Sequence, residues 1–165
     1  MTTTRRQVLT AAVLTTGAAI TNAAMAEGAE GSVGGISAAD VVAIKEACLD
    51  YVEGWYGGNA ERMERALHPA LQKRIVEIDP ASGKDRLREM SAKTLVQYTR
   101  EGGGSDTPKD SRQKDITVFD VYRDEASAKV VFRDWVDYVH LARVDSRWVI
   151  VNVLWEYKVG KKRGR

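Results

Sequence analysis

From position 116 to position 157 the chain is almost unbroken β-structure by pattern. "ITVFDVY" (116–122), "ASAKVVFRDWVDYVHLARV" (126–144) and "RWVIVNVLWEY" (147–157) alternate, are rich in β-branched and aromatic residues, and are separated only by short turns. Strands joined this tightly are antiparallel neighbours. The C-terminal part therefore reads as a three-strand antiparallel meander. One face of such a sheet must be covered, and the residues before it supply helices. The expected class is α+β, with N-terminal helices packed on a curved antiparallel sheet.

The helical signals are specific. "SAAD" at 37–40 has the form of a capping box. After it, Val41, Ile44, Cys48, Tyr51, Val52 and Trp55 recur every three or four residues, which is one apolar stripe on a helix. Gly57-Gly58 ends it. Asn59 caps a second, short helix, "AERMERALH", which Pro69 stops. "LQKRIVEID" reads as a short strand, with a turn at Pro80-Ala81-Ser82-Gly83. "DRLREM" fits either strand or helix. Ser91 caps a further helix, "AKTLVQYTRE". Residues 102–115, "GGGSDTPKDSRQKD", have no apolar periodicity and read as a mobile surface loop.

The ends carry a different message. "MTTTRRQVLTAAVLTTGAAITNAAMA" (1–26) has a basic pair, a mildly apolar run and a small-x-small end at Ala24-Met25-Ala26, the form of an export signal. Its T-R-R-Q-V-L-T stretch resembles the bacterial twin-arginine signal, and an ordinary secretory signal is the alternative. A Gly-rich leader follows at 27–36, the folded domain is expected at 37–158, and residues 159–165 form a basic tail. The whole chain has 25 Lys and Arg against 23 Asp and Glu. Two of those arginines belong to the signal, so the exported part is balanced in charge and carries no electrostatic case for nucleic acid.

The expected location is periplasmic or extracellular, with no membrane anchor after processing. Cys48 is the single cysteine, so no intramolecular disulfide can form, and its place in the apolar stripe marks a buried, inert thiol. No Walker loop, dinucleotide fingerprint, nucleophile elbow or metal-ligand spacing occurs, so neither a metal nor another cofactor is expected.

The order of elements, with "DYVEGWYGGNAERMERALHPALQKR", "MSAKTLVQYT" and "DWVDYVHLARVDSRWVIVNVLWEY", resembles the nuclear-transport-factor-2-like superfamily and, within it, the lumazine-binding branch. The resemblance spans residues 38–158. It implies a cone-shaped fold with a cavity between the helices and the concave sheet. Relatives include isomerases, dehydratases, cyclases and non-catalytic modules, so the fold alone does not decide activity. Catalytic isomerases of the superfamily place a tyrosine and carboxylic acids in the cone. Tyr51, Tyr56 and Asp137 are analogues by residue type. The resemblance also puts His68 at the mouth of the cone, although a histidine at a helix C-terminus has a structural use there as well.

Strand pairing sorts the polar residues. If Asp145-Ser146 is a two-residue turn, Val139 faces Asn152 and Asp137 faces Leu154. Trp135, Asp137, Val139, Leu141, Trp148, Ile150, Asn152 and Leu154 then share one side, with Asp137 and Asn152 diagonal neighbours roughly 7–8 Å apart. Tyr138, His140 and Trp155 lie on the other. Both sides are largely apolar, which points to a homodimer through one of them. The Asp137/Asn152 side is taken as the cavity wall and the other as the dimer surface.

The candidate ligand-binding residues are Tyr51, Trp55, Tyr56, His68, Met90, Trp135, Asp137 and Asn152. Asp137 is the candidate general base, or else a satisfied buried carboxylate. The expected function is an exported protein that binds a flat, apolar or heterocyclic small molecule. The alternatives are an isomerase, dehydratase or cyclase-type enzyme with Asp137 as base, and a non-catalytic dimeric interaction module.

Overall fold

The structure is a computed structural model that describes residues 37–161. The export signal at 1–26, the leader at 27–36 and residues 162–165 of the basic tail lie outside the described residues. In chain order the elements are α1 (Ala38–Gly57), α2 (Ala60–Ala66), β1 (Leu67–Ile78), β2 (Asp85–Ser91), α3 (Ala92–Arg100), a 3₁₀ turn (Lys109–Ser111), β3 (Asp115–Tyr122), β4 (Glu125–Val131), β5 (Trp135–Val144) and β6 (Arg147–Tyr157). The six strands form one sheet in the order β2-β1-β6-β5-β4-β3. Every neighbouring pair is antiparallel except β1 and β6, which run parallel. No helix among the described residues is long and apolar enough to cross a membrane.

The helix starts follow the sequence. Ser37 accepts from the Asp40 N–H at 3.0 Å, Asn59 from the Arg62 N–H at 2.9 Å and Ser91 from the Thr94 N–H at 3.2 Å. Each satisfies one of the donors that a helix leaves open at its first turn. Gly58 closes α1 in the left-handed conformation, φ 62°, which a side chain would resist. The predicted stripe of α1 is its buried face. Ile44, Cys48, Tyr51 and Val52 share one core with Val139, Leu141, Ile150 and Val153 of the sheet. Cys48 is fully buried, and burial pushes its thiol up to about 12.

Three expectations need correction, and one open choice is settled. The second helix ends at Ala66, and His68 and Pro69 already lie in β1. Proline has no N–H for a ladder, and the β1–β6 pairing is interrupted between Leu67 and Gln72, where Pro69 sits. "DRLREM" is a strand, paired with β1 from Ile78↔Asp85 to Gln72↔Ser91. Residues 126–144 are two strands, not one. The chain reverses at Arg133-Asp134, where the Phe132 N–H donates to the Trp135 carbonyl at 2.9 Å. No Gly, Asn or Pro marks this reversal, so the meander has four strands where composition suggests three.

The last correction concerns residues 102–115, which are tied to the body. Gly104 N–H donates to the Trp55 carbonyl at 2.9 Å, and the Arg112 guanidinium donates to the carbonyls of Thr107 and Ser105. Gly103 and Gly104 are needed for close approach to Trp55, and Gly102 for its φ of 120°. A Cβ on Gly104 would lie 2.5 Å from Trp55 Nε1. Gly104→Ala should therefore displace the Trp55 indole and cost about 1–3 kcal/mol, the usual scale of overpacking. Urea unfolding of the variant would measure it, and an unchanged midpoint would mean that the loop yields freely.

Candidate functional site

Period two along β1 decides the floor of the site. Leu71, Lys73 and Ile75 point inward and are buried, while Arg74, Val76 and Ile78 point away. A lysine is thereby carried into the core. On the neighbouring strand Met90 pairs with Lys73 and Arg88 with Ile75, so both point the same way. Across the sheet Asp137 is also inward and has no solvent exposure at all.

These groups meet at one carboxylate oxygen. Lys73 Nζ donates to Asp137 Oδ2 at 2.6 Å and to the Tyr51 hydroxyl at 2.7 Å. The Tyr51 hydroxyl donates in turn to the same Asp137 Oδ2. Burial, then the charge of Asp137 and the hydrogen bond to it, push the Tyr51 phenol well above its ordinary range. Burial lowers the basicity of Lys73. The Asp137 carboxylate opposes that shift, and the nearby Arg88 adds to it. Asp137 Oδ1 and the indole Nε1 of Trp135 are buried without a hydrogen-bond partner among the described residues.

Above this cluster lies a cavity of ≈ 210 Å³. Its walls include Tyr51, Trp55, Phe132, Trp135, Trp155 and Tyr157, with Lys73, Arg88 and Met90 also on its lining. The rings brace one another. Phe132 stacks on Trp135 at 4.8 Å between centroids, and Trp135 meets Trp55 and Trp155 edge-on at 5.9 and 6.0 Å. Lys73 Nζ lies 4.9 Å from the Trp155 ring centroid, within range of a cation–π contact. Arg88 approaches the same ring at 5.9 Å and is held by Glu77 at 2.7 Å. The site is thus an aromatic box with one ammonium at its inner end. Such a site can hold a flat ring and present a donor to an acceptor atom on it. Among the described residues no group of three His, Cys, Asp or Glu is placed to hold a metal.

Of the residues expected here, Tyr51, Trp55, Met90 and Trp135 line the cavity. The other four do not. Asp137 lies behind Lys73 and Tyr51, sealed from the cavity, so it cannot reach a substrate proton directly and does not fit the role of an exposed general base. Tyr56 is a strut. Its hydroxyl donates to the Gln113 carbonyl at 3.0 Å and accepts from the Arg133 N–H at 2.9 Å, tying two loops together. His68 follows α2 rather than ending it, and its Nδ1 accepts from the Ala70 N–H at 3.1 Å.

Asn152 lies on the opposite face of the sheet. Leu141 pairs with Ile150 as expected, but His140 pairs with Asn152, so Val151 is an extra residue in β6. That bulge reverses the facing of everything beyond it. Asn152 moves outward, bonded to His140 at 3.2 Å and to Arg74 at 3.1 Å, and Trp155 moves inward. Lys73, Arg88, Phe132, Trp155 and Tyr157 were not anticipated. For Lys73 a signal exists, since Leu71-x-Lys73-x-Ile75 puts it in phase with two apolar residues. For Trp155 none does without the bulge.

The family described as "Putative lumazine-binding" matches residues 39–156. No curated protein matches the chain. Several solved structures share its fold. An NTF2-like protein of unknown function from Methylobacillus flagellatus is 21% identical, with a TM-score of 0.58 over 76% of this chain and 98% of that one. Another from Shewanella baltica is 17% identical, with a TM-score of 0.57 over 74% and 97% of the two chains. An NTF2-like protein with a cystatin-like fold from Novosphingobium aromaticivorans is 14% identical, with a TM-score of 0.54 over 74% and 84%. At these identities the likeness concerns the fold. With helices laid on the curved sheet and a family match over most of its length, the chain belongs to the lumazine-binding family of the NTF2-like fold.

Proposed function

We propose that the protein is an exported binding protein for a compact, flat heterocycle, held in the aromatic box with an acceptor atom toward Lys73. The observation that carries this reading is the box itself, walled by Trp55, Phe132, Trp135 and Trp155 above a buried ammonium. Its ≈ 210 Å³ is less than the ~300–1,000 Å³ of drug-sized sites, which favours one or two fused rings. A heterocycle suits it better than a hydrocarbon. The Lys73 ammonium on the lining has a third N–H beyond those it gives to Asp137 and Tyr51, and a ring nitrogen or carbonyl would accept it. A pteridine of the lumazine type has that shape and those acceptors. Export rests on the Arg5-Arg6 signal, of which a twin-arginine route is the favoured form.

A homodimer through the outer face of the sheet completes the proposal. There Tyr138 is stacked on Phe119 at 6.2 Å and paired with Leu154, while Val76 pairs with Leu87. All five are exposed, which is costly for an apolar face without a partner.

Native mass spectrometry of the protein from an exporting host tests all three parts. The expected species is a dimer of chains that begin at Glu27 and carry a small molecule lost on denaturation. A monomer, an uncleaved chain or a bare dimer would each remove the corresponding part. Titration with lumazine, followed by tryptophan fluorescence, tests the box directly. Trp155→Ala should weaken binding about tenfold or more, the size of a lost stacking platform. An unchanged affinity would place the ligand elsewhere.

A further inference from the structure

Resting on the reading that the box holds a compact flat ligand, we infer that Lys73 captures an aromatic or conjugated aldehyde or ketone as an imine. Lys73 is the one lysine on the cavity lining among the described residues, and its side chain is 7% exposed. A buried ion pair is weak evidence of a stabilising device, because apolar replacements of equal shape often serve as well. Here an ammonium, a carboxylate and a phenol converge on one oxygen beneath a cavity, an arrangement that handles protons. An amine becomes a nucleophile when it is desolvated or set beside another cation. Lys73 has both conditions, in its burial and in Arg88.

The geometry provides each step. The Lys73 proton passes to Asp137 along the 2.6 Å contact, leaving a neutral amine and a neutral acid. The Nζ lone pair attacks the carbonyl carbon, and the C=O π pair moves to oxygen. The Tyr51 hydroxyl, bonded to both Nζ and Asp137, relays one proton from nitrogen to that oxygen and gives the carbinolamine. A second proton, from Asp137 through Tyr51, releases the hydroxyl as water while the nitrogen lone pair forms C=N. The sum is ammonium plus carbonyl giving iminium plus water, with Asp137 a carboxylate at both ends. No oxidant or reductant is required. The iminium then lies against the Trp155 face and opposite Asp137, the two features that already hold the ammonium. The aromatic walls and small volume select a ring-bearing or conjugated carbonyl compound over an extended one.

The test uses the full chain with 4-hydroxybenzaldehyde and sodium cyanoborohydride, which fixes an imine as a stable amine, followed by peptide mass mapping. The same aldehyde is titrated without reductant, read by tryptophan fluorescence. Lys73 should be modified about tenfold faster than the exposed Lys45 and Lys93, because the box holds the aldehyde beside an amine whose burial favours its neutral form. The modification should vanish from that peptide in Lys73→Arg and in the shape-preserving Lys73→Met/Asp137→Asn double variant. Quenching without preferential modification of Lys73 would overturn the imine and leave the binding site standing. Neither quenching nor modification of Lys73 would overturn both.

Discussion

Lys73→Met is expected to lower the unfolding free energy by about 3–5 kcal/mol, the usual cost of removing one partner from a buried charge pair. Methionine keeps most of the stem's volume, so the loss is electrostatic rather than a cavity. Asp137 would be left with the Tyr51 hydroxyl on Oδ2 and nothing among the described residues on Oδ1, at zero exposure. A carboxylate in that position must either stay charged without compensation or take up a proton on folding, and both cost free energy. Asp137→Asn should cost a similar amount by stranding the ammonium. The double variant Lys73→Met/Asp137→Asn should recover most of the loss, because neither charge remains to be stranded. Urea unfolding of the four proteins closes the cycle, with an unchanged slope as the sign that the folded and unfolded ensembles remain comparable. Single variants that each cost under about 1 kcal/mol would mean that solvent reaches the pair and that the inner end of the box is wet.

The elements and the site were legible to different degrees, for physical reasons. Helix starts are local. Ser37, Asn59 and Ser91 each cap within three residues, so reading the neighbours suffices. The inner face of α1 is equally local, since one stripe of apolar residues is also its buried face. Facing in the sheet is cumulative. Pairing counted out from Asp145-Ser146 holds as far as Leu141↔Ile150 and then fails at a single extra residue, Val151. That slip exchanges Asn152 for Trp155 on the cavity wall, and nothing in "WVIVNVLWEY" announces it. The reversal at Arg133-Asp134 is likewise silent, because it is held by Tyr56 and by the Phe132–Trp135 pair rather than by turn residues. Lys73 was hidden differently. Its phase in β1 is plain, but charge predicts exposure, and only Asp137 and Tyr51, distant in sequence, make its burial tolerable. The ligand-facing chemistry thus resides in contacts between remote segments, while the scaffold that positions them is written locally.

Alkaline pH should expose the burial of α1 through Cys48. Its thiol ionises at about 12 in the folded chain against an ordinary 9.0, because burial disfavours the thiolate. Below pH 9 both states keep the proton and the thiol adds no pH dependence. Above it the unfolded chain releases the proton and the folded chain does not, so stability falls by about 1.4 kcal/mol per pH unit, near 4 kcal/mol by pH 12. Two neighbours act in the same range. The raised Tyr51 phenol pushes in the same direction once the unfolded tyrosine ionises, near pH 10. The lowered Lys73 ammonium acts oppositely, since the folded chain gives up its proton before the unfolded one and gains stability up to about pH 10.5. Cys48→Ala removes the thiol and, with it, the smallest contribution to the Tyr51 shift, while the rest of that shift and Lys73 are retained. Urea unfolding at fixed pH values from 8 to 12 should show the parent losing about 4 kcal/mol more than the variant across the window. Parallel curves would mean that the thiolate forms in the folded chain. Hydroxide would then have access to the inner face of α1 at the level of Tyr51, and the dry cluster on which both the box and its lysine depend would be open to solvent.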